Sequence, residues 1–112
     1  MSAAQIRTDI LVRVEEAATD ILTLVEGLSA DDFARSRLTR TATLACLREI
    51  ADAASALPAE GRAAMPEVDW AGWLDLGDAL AHGVLCAERE WQAASEGAAV
   101  ILQWMRVYRQ AA

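Results

Sequence analysis

The chain has 112 residues and a formal net charge of −7, and its ten basic residues, all arginine, are set against seventeen acidic ones. That length predicts one domain, residues 1–112, with one hydrophobic core, and 54% hydrophobic residues exclude a disordered chain. The acidic balance excludes a strongly basic nucleic-acid binder and leaves room only for a small, local RNA site.

Taken in chain order, the first predicted helix runs from about Gln5 to Glu26. Ile6, Ile10, Val14, Ala17, Ile21, Val25 and Leu28 recur on one face, and Gly27 supplies the stop. Ser29-Ala30-Asp31-Asp32 then reads as the cap of a short second helix anchored by Phe33. A third helix is predicted over Thr39 to Leu57, with Leu44, Leu47, Ile50, Ala54 and Leu57 inward and Pro58 ending it. Pro58 to Asp69 carries both prolines and reads as a loop with room for one helical turn. Asp69 caps a fourth helix from Trp70 to about Ala81, whose end Gly83 loosens. A fifth runs from Ala87 to Arg109 on the stripe Trp91, Ala94, Ala98, Ile101, Met105 and Tyr108. No stretch alternates long enough for a strand. The fold class expected is all-α: a compact, mostly antiparallel bundle of four main helices plus a short one.

The two cysteines, Cys46 and Cys86, form no paired-ligand motif and read as buried thiols of a reducing compartment. No secretory leader is expected, because Asp9 interrupts the N-terminal segment. The longest uncharged stretches, such as Gly97 to Met105, are nine residues, against the ~20 of a membrane span. A cytoplasmic location without membrane contact follows as the expectation.

The segment Trp73-Leu74-Asp75-Leu76-Gly77-Asp78-Ala79-Leu80-Ala81-His82-Gly83 holds the chain's one histidine. Upstream lie Asp20-Ile21-Leu22-Thr23-Leu24-Val25-Glu26-Gly27-Leu28-Ser29 with Asp32-Phe33, the apolar face of Thr41 to Ala54, and Met65-Pro66-Glu67-Val68-Asp69-Trp70. In order and spacing these resemble the HepT-like toxins, a branch of the HEPN (higher eukaryote and prokaryote nucleotide-binding) ribonucleases. The resemblance implies a HEPN-like bundle and metal-independent RNA cleavage at a cleft shared by two protomers. In that family an Arg, usually followed by Asn, precedes a His by four to six residues. The Arg steadies the phosphorane charge, the His does acid–base work, and a Tyr two residues after the His is adenylylated by a nucleotidyltransferase antitoxin.

Here Gly77 stands at the Arg position, Asp78 at the Asn position and Val84 at the Tyr position, while His82 and Gly83 keep theirs. Gly77 offers no donor to a developing charge, and losing one such donor costs ~100-fold or more. Asp78 places a carboxylate where phosphate approaches, a repulsion of ~4 kcal/mol at ~4 Å and an effective dielectric of ~20. Val84 has no hydroxyl to modify. The catalytic candidates are His82 and Asp78, and the binding candidates are Trp73, Gly77 and Gly83.

Two readings of His82 stay open: an acid–base pair with the Asp78 carboxylate, or a relic histidine with a local hydrogen bond near a dimer seam. The second is favoured because no phosphate-binding group accompanies the pair. Asp75, Asp78 and His82 fall at i, i+3 and i+7, but a solvated face explains them better than a metal site, and no metal or cofactor is expected. Trp70, Trp73, Trp91 and Trp104 read as core and interface anchors in preference to base-stacking platforms.

The expected function is a catalytically impaired HepT-like homodimer serving as interaction module for a nucleotidyltransferase-type antitoxin, with weak RNA contact. An active endoribonuclease using His82 with a substituted arginine, Arg48 or Arg89, is the first alternative. A nucleotide or small-ligand pocket at the dimer cleft is the second. The dimer seam is expected around His82 and the fifth helix, with Trp73, Leu76 and Leu80 left uncovered by one bundle. Replacing Gly77 by Arg and Asp78 by Asn is expected to be tolerated by the helix and to restore part of the activity.

Overall fold

The structure is a computed structural model that describes residues 2–111. It is all-α, and the described residues contain no strand. Helix α1 (Ala3–Val25) starts where the Ser2 hydroxyl accepts the Gln5 N–H, and it buries Ile10, Val14, Ala17, Ile21 and Val25 along the predicted stripe. It stops in a turn in which the Leu28 N–H donates to the Val25 carbonyl. Glu26 (φ −56°, ψ 126°) is followed by Gly27 at φ +76°, the backbone sequence of a type II turn, whose third residue favours glycine. Helix α2 (Ala30–Arg35) opens on a reciprocal capping box between Ser29 and Asp32. The Ser29 backbone N–H, then its hydroxyl, holds the Asp32 carboxyl below the usual carboxylate range. Phe33 from α2 is fully buried against the Trp91 ring, with centroids 5.4 Å apart. Burial of such a ring contributes about 3 kcal/mol.

Ser36 ends α2 and also caps α3 (Arg37–Ala56) through the Thr39 N–H. The third helix therefore begins two residues before the expected Thr39. Its inner face carries Leu47, Ile50, Ala51, Ala53 and Ala54. The region read as loop contains the single turn α4 (Ala59–Ala63). From it Arg62 donates to the Ala54 and Leu57 carbonyls and satisfies the open end of α3. The Trp70 indole N–H donates to the Met65 carbonyl and fixes the loop onto α5 (Trp70–Ala81), whose first turn is capped by Asp69 through the Gly72 N–H.

The last helical stretch is not one regular helix. Helix α6 (Ala87–Gln92) passes through a π turn (Ala93–Gly97) into α7 (Ala98–Ala111), with the Ala98 N–H donating to the Ala93 carbonyl. Glu90, Ala94 and Ala98 are all buried on the inner face of this stretch, and the π turn lies between them. Helix α1 lies between α3 and α7, and α5 packs on α3. Among the described residues, Glu90 is the one charged residue buried in this core. The Arg40 guanidinium grips it with Nε to Oε1 at 2.6 Å and a second nitrogen to Oε2 at 3.2 Å. That contact holds Arg40 even more firmly charged than usual. Among the described residues, no buried side-chain nitrogen or oxygen lacks a partner.

Candidate functional site

His82 ends α5 rather than lying on its body. Three hydrogen bonds form a Schellman closure: His82 N–H to the Asp78 carbonyl, Gly83 N–H to Leu80, and Val84 N–H to Ala79. Gly83 adopts φ +65° there, a conformation that side chains with a Cβ disfavour. Gly83 is thus a helix stop with a defined geometry, where the sequence suggested a loosened end.

The imidazole Nδ1 lies 2.7 Å from the Asp78 backbone carbonyl and therefore donates to it. Of the two readings left open for His82, the geometry matches the favoured local hydrogen bond and not a ring held by the Asp78 carboxylate: the peptide oxygen holds it, and the Asp78 side chain is exposed. With Nδ1 so fixed, the neutral ring presents Nε2 as an acceptor at the exposed surface. Asp75, Asp78 and His82 do not converge, and the described residues hold no cluster of three or more His, Cys, Asp or Glu suited to a metal ion.

Gly77 is placed differently from a catalytic cation. A Cβ built on it would lie 2.9 Å from the Cβ of Ala51 on α3. Ala51 is buried and has no rotamer to yield. At position 77 the backbone of α5 closes directly on α3. A long side chain there meets the helix behind it.

Trp73 and Leu76 are both buried within the one chain, and Leu80 is half-buried. Trp73 and Leu76 therefore do not need a second protomer to cover them, contrary to the expectation, while Leu80 stays partly open. Trp73 instead covers Gly97 of the π turn, where an added Cβ would lie 3.5 Å from the indole. Large apolar side chains that do remain exposed are Ile6 on α1, Leu38 on α3, Val84 beside His82, and Val100 and Val107 on α7, so Ile6 falls outside the inward stripe expected of the first helix. Val100 and Val107 are exposed because α7 buries its stripe, Ala98, Ile101, Leu102 and Met105, on the opposite face.

Of the two arginines considered as substitutes, Arg48 on α3 reaches the end of α5. Its guanidinium donates to the Leu80 carbonyl at 3.4 Å, complementing the negative end of the helix. It lines a groove of ≈ 490 Å³ together with Arg40, Leu44, Leu80, Gly83 and Glu90. Arg89 lies elsewhere, in the groove between α5 and α7 that Trp73 and Trp104 also line.

The sequence model of the family described as Ribonuclease HepT-like matches residues 14–85, more than half of the chain. The chain belongs to the HepT-like family. That match covers α1 from Val14 through the His82 turn and ends just before α6, so the π turn and α7 lie outside it. No curated protein and no solved structure matches the chain. HepT-like ribonucleases belong to the HEPN superfamily, and the all-α architecture fits that assignment. Among the described residues, no helix is long and apolar enough to cross a membrane.

The cysteines of this HepT-like chain differ from the expectation of two buried thiols. Cys86 is exposed at the start of α6, and Cys46 is half-buried. Burial, then the nearby Asp20 and Glu49 carboxylates, pushes the Cys46 thiol up. Iodoacetamide at mildly alkaline pH is expected to label Cys86 at least ~5-fold faster than Cys46. Peptide mass spectrometry over a time course reads this directly, and equal rates would contradict the placement of α6.

Proposed function

We propose that this HepT-like protein has lost the cleavage chemistry of its family and works as a dimeric interaction module for a nucleotidyltransferase-type antitoxin. One observation carries the reading. The position where the family places its arginine is a glycine seated against Ala51, with 2.9 Å left for a first side-chain atom. A site built for a phosphorane would hold a cation at that point. His82 keeps an acceptor nitrogen at the surface, yet its ring is oriented by a peptide carbonyl and not by a second catalytic group.

The dimer is proposed on the family's behaviour, with the exposed Val84 beside His82 as an apolar contact. Val84 also removes the hydroxyl that a nucleotidyltransferase of that family modifies, so the partner would bind here without modifying residues 82–86.

The test is cleavage of labelled RNA by purified wild-type and His82→Ala proteins. No cleavage above the His82→Ala background is expected. His82-dependent cleavage would overturn the reading in favour of an active endoribonuclease. Arg48 would then be the first cation to remove, since it alone of the two substitutes reaches the α5 terminus.

A further inference from the structure

A groove of ≈ 380 Å³ lies away from the His82 turn, between α5 and the stretch formed by α6, the π turn and α7. That volume is in the range of small-molecule pockets. Its second wall, from Arg89 to Trp104, lies wholly beyond residue 85, where the family match ends. Ala93, Glu96 and Gly97 of the π turn line it, and π turns are frequent at functional sites.

Two contacts set the order of groups along the groove. Trp73 covers Gly97, and the Tyr108 hydroxyl donates to the Glu67 carboxylate, so α5 and α7 run antiparallel. Leu76 and Arg89 therefore stand at one end, Trp73 and Glu96 in the middle, and Asp69 and Trp104 at the other. Past Trp104 the Tyr108 ring continues the aromatic row, with centroids 6.4 Å apart.

The charged residues that line the groove are Asp69, Glu96 and Arg89. Neither carboxylate has an ion-pair partner among the described residues. Asp69 uses Oδ1 to accept the Gly72 N–H at 3.1 Å, which leaves its second oxygen. Arg89 precedes Glu96 by seven residues, about 10 Å along a helix. The other cations of α7 are engaged elsewhere: Arg106 lines a groove against α1, and Arg109 pairs with Glu15. The Trp104 end is thus both aromatic and acidic.

We infer that this end of the groove binds a small organic cation of the quaternary ammonium class. The indole ring carries negative charge over its face and attracts cations more strongly than the other aromatic side chains do. Glu96 and Asp69 add a net negative charge, which an anionic ligand would have to oppose. A quaternary ammonium has no N–H to satisfy, so aromatic walls replace its water without further acceptors. A primary ammonium brings three donors to two carboxylates, one of them already engaged by Gly72. This site rests neither on RNA binding nor on the loss of cleavage.

The test is a tryptophan-fluorescence titration with choline at constant ionic strength. Ethanolamine and the uncharged isostere of choline, in which carbon replaces nitrogen, serve as comparisons. Saturable choline binding at least ~5-fold tighter than either is expected. Glu96→Gln and Trp104→Leu are each expected to weaken it by ~5-fold or more. Arg89→Gln, which removes the opposing charge, is expected to strengthen it. Glu88→Gln, at an exposed acid outside the groove, is expected to change it by less than ~2-fold. Thermal melts establish that each variant is folded, and the exposed positions 89 and 96 decide the matter if Trp104→Leu is not. Absence of saturable choline binding would overturn the site. Equal binding of the isostere would reduce it to an apolar groove, and an equal loss in Glu88→Gln would reduce it to general charge. Weaker binding by Arg89→Gln would also overturn it, since the guanidinium would then be holding the ligand.

Discussion

Replacing Arg40 by Leu is expected to destabilise the protein by about 3 kcal/mol, the low end for breaking a buried ion pair. The Glu90 side chain is only 3% exposed, so without Arg40 its carboxylate has no partner in the core. The Arg40 side chain is 38% exposed, and water that reaches the vacated site offsets part of the cost. Removing both charges, as Arg40→Leu with Glu90→Met, is expected to recover most of the loss, because a well-packed apolar pair tolerates this environment better than a lone charge. Urea denaturation of the three proteins measures the difference. A single variant within ~0.5 kcal/mol of wild type would show that Glu90 is solvated and not held by α3. The pair matters beyond stability: it fastens α6 to α3.

Local chemistry made several elements legible. Asp69 at the start of α5, Ser29 before α2 and Gly27 after α1 each satisfy or terminate a helix end by contacts within a few residues. The buried stripe of α1 follows from periodicity alone. What escaped depends on partners far along the chain. Glu90 is separated from Arg40 by fifty residues, and only its place on the row Glu90, Ala94, Ala98 marks it as buried. The π turn itself left no mark in the sequence, because regular α1 buries Ala17, Ile21 and Val25 at the same four-residue steps. The turn α4 hides between two prolines and is held by Arg62 bonding backward to α3.

At the candidate site, the substitution of the family's arginine was visible in the sequence, but its packing was not. A glycine inside a helix reads equally as a lost side chain or as a close crossing. Ala51, on another helix, decides between them. The bond of the His82 ring to a peptide oxygen escaped for a similar reason: residues 78 and 82 share a face in either case, and only the α5 end geometry directs the ring to the carbonyl.

Restoring the family's arginine by Gly77→Arg is therefore expected to damage the fold instead of reviving the enzyme. Arginine gains about 1 kcal/mol over glycine in helix propensity. Against this, its Cβ would have to open a 2.9 Å contact with a buried alanine, and overpacking of that kind costs about 1–3 kcal/mol. The rest of the side chain must also leave the α3–α5 contact, which adds to the strain. A net loss of about 2 kcal/mol is expected in urea denaturation, with no His82-dependent cleavage gained. The companion variant Ala51→Gly/Gly77→Arg removes the opposing Cβ. It should be more stable than Gly77→Arg when each is compared with its own parent at position 77, Ala51→Gly and wild type. A fully stable Gly77→Arg protein would mean that α5 is free to move off α3, and position 77 would then be a vacant catalytic position after all. The opposite outcome places the loss of the arginine within the packing of the two helices: once they have closed on a glycine, regaining the cation requires a second change at Ala51.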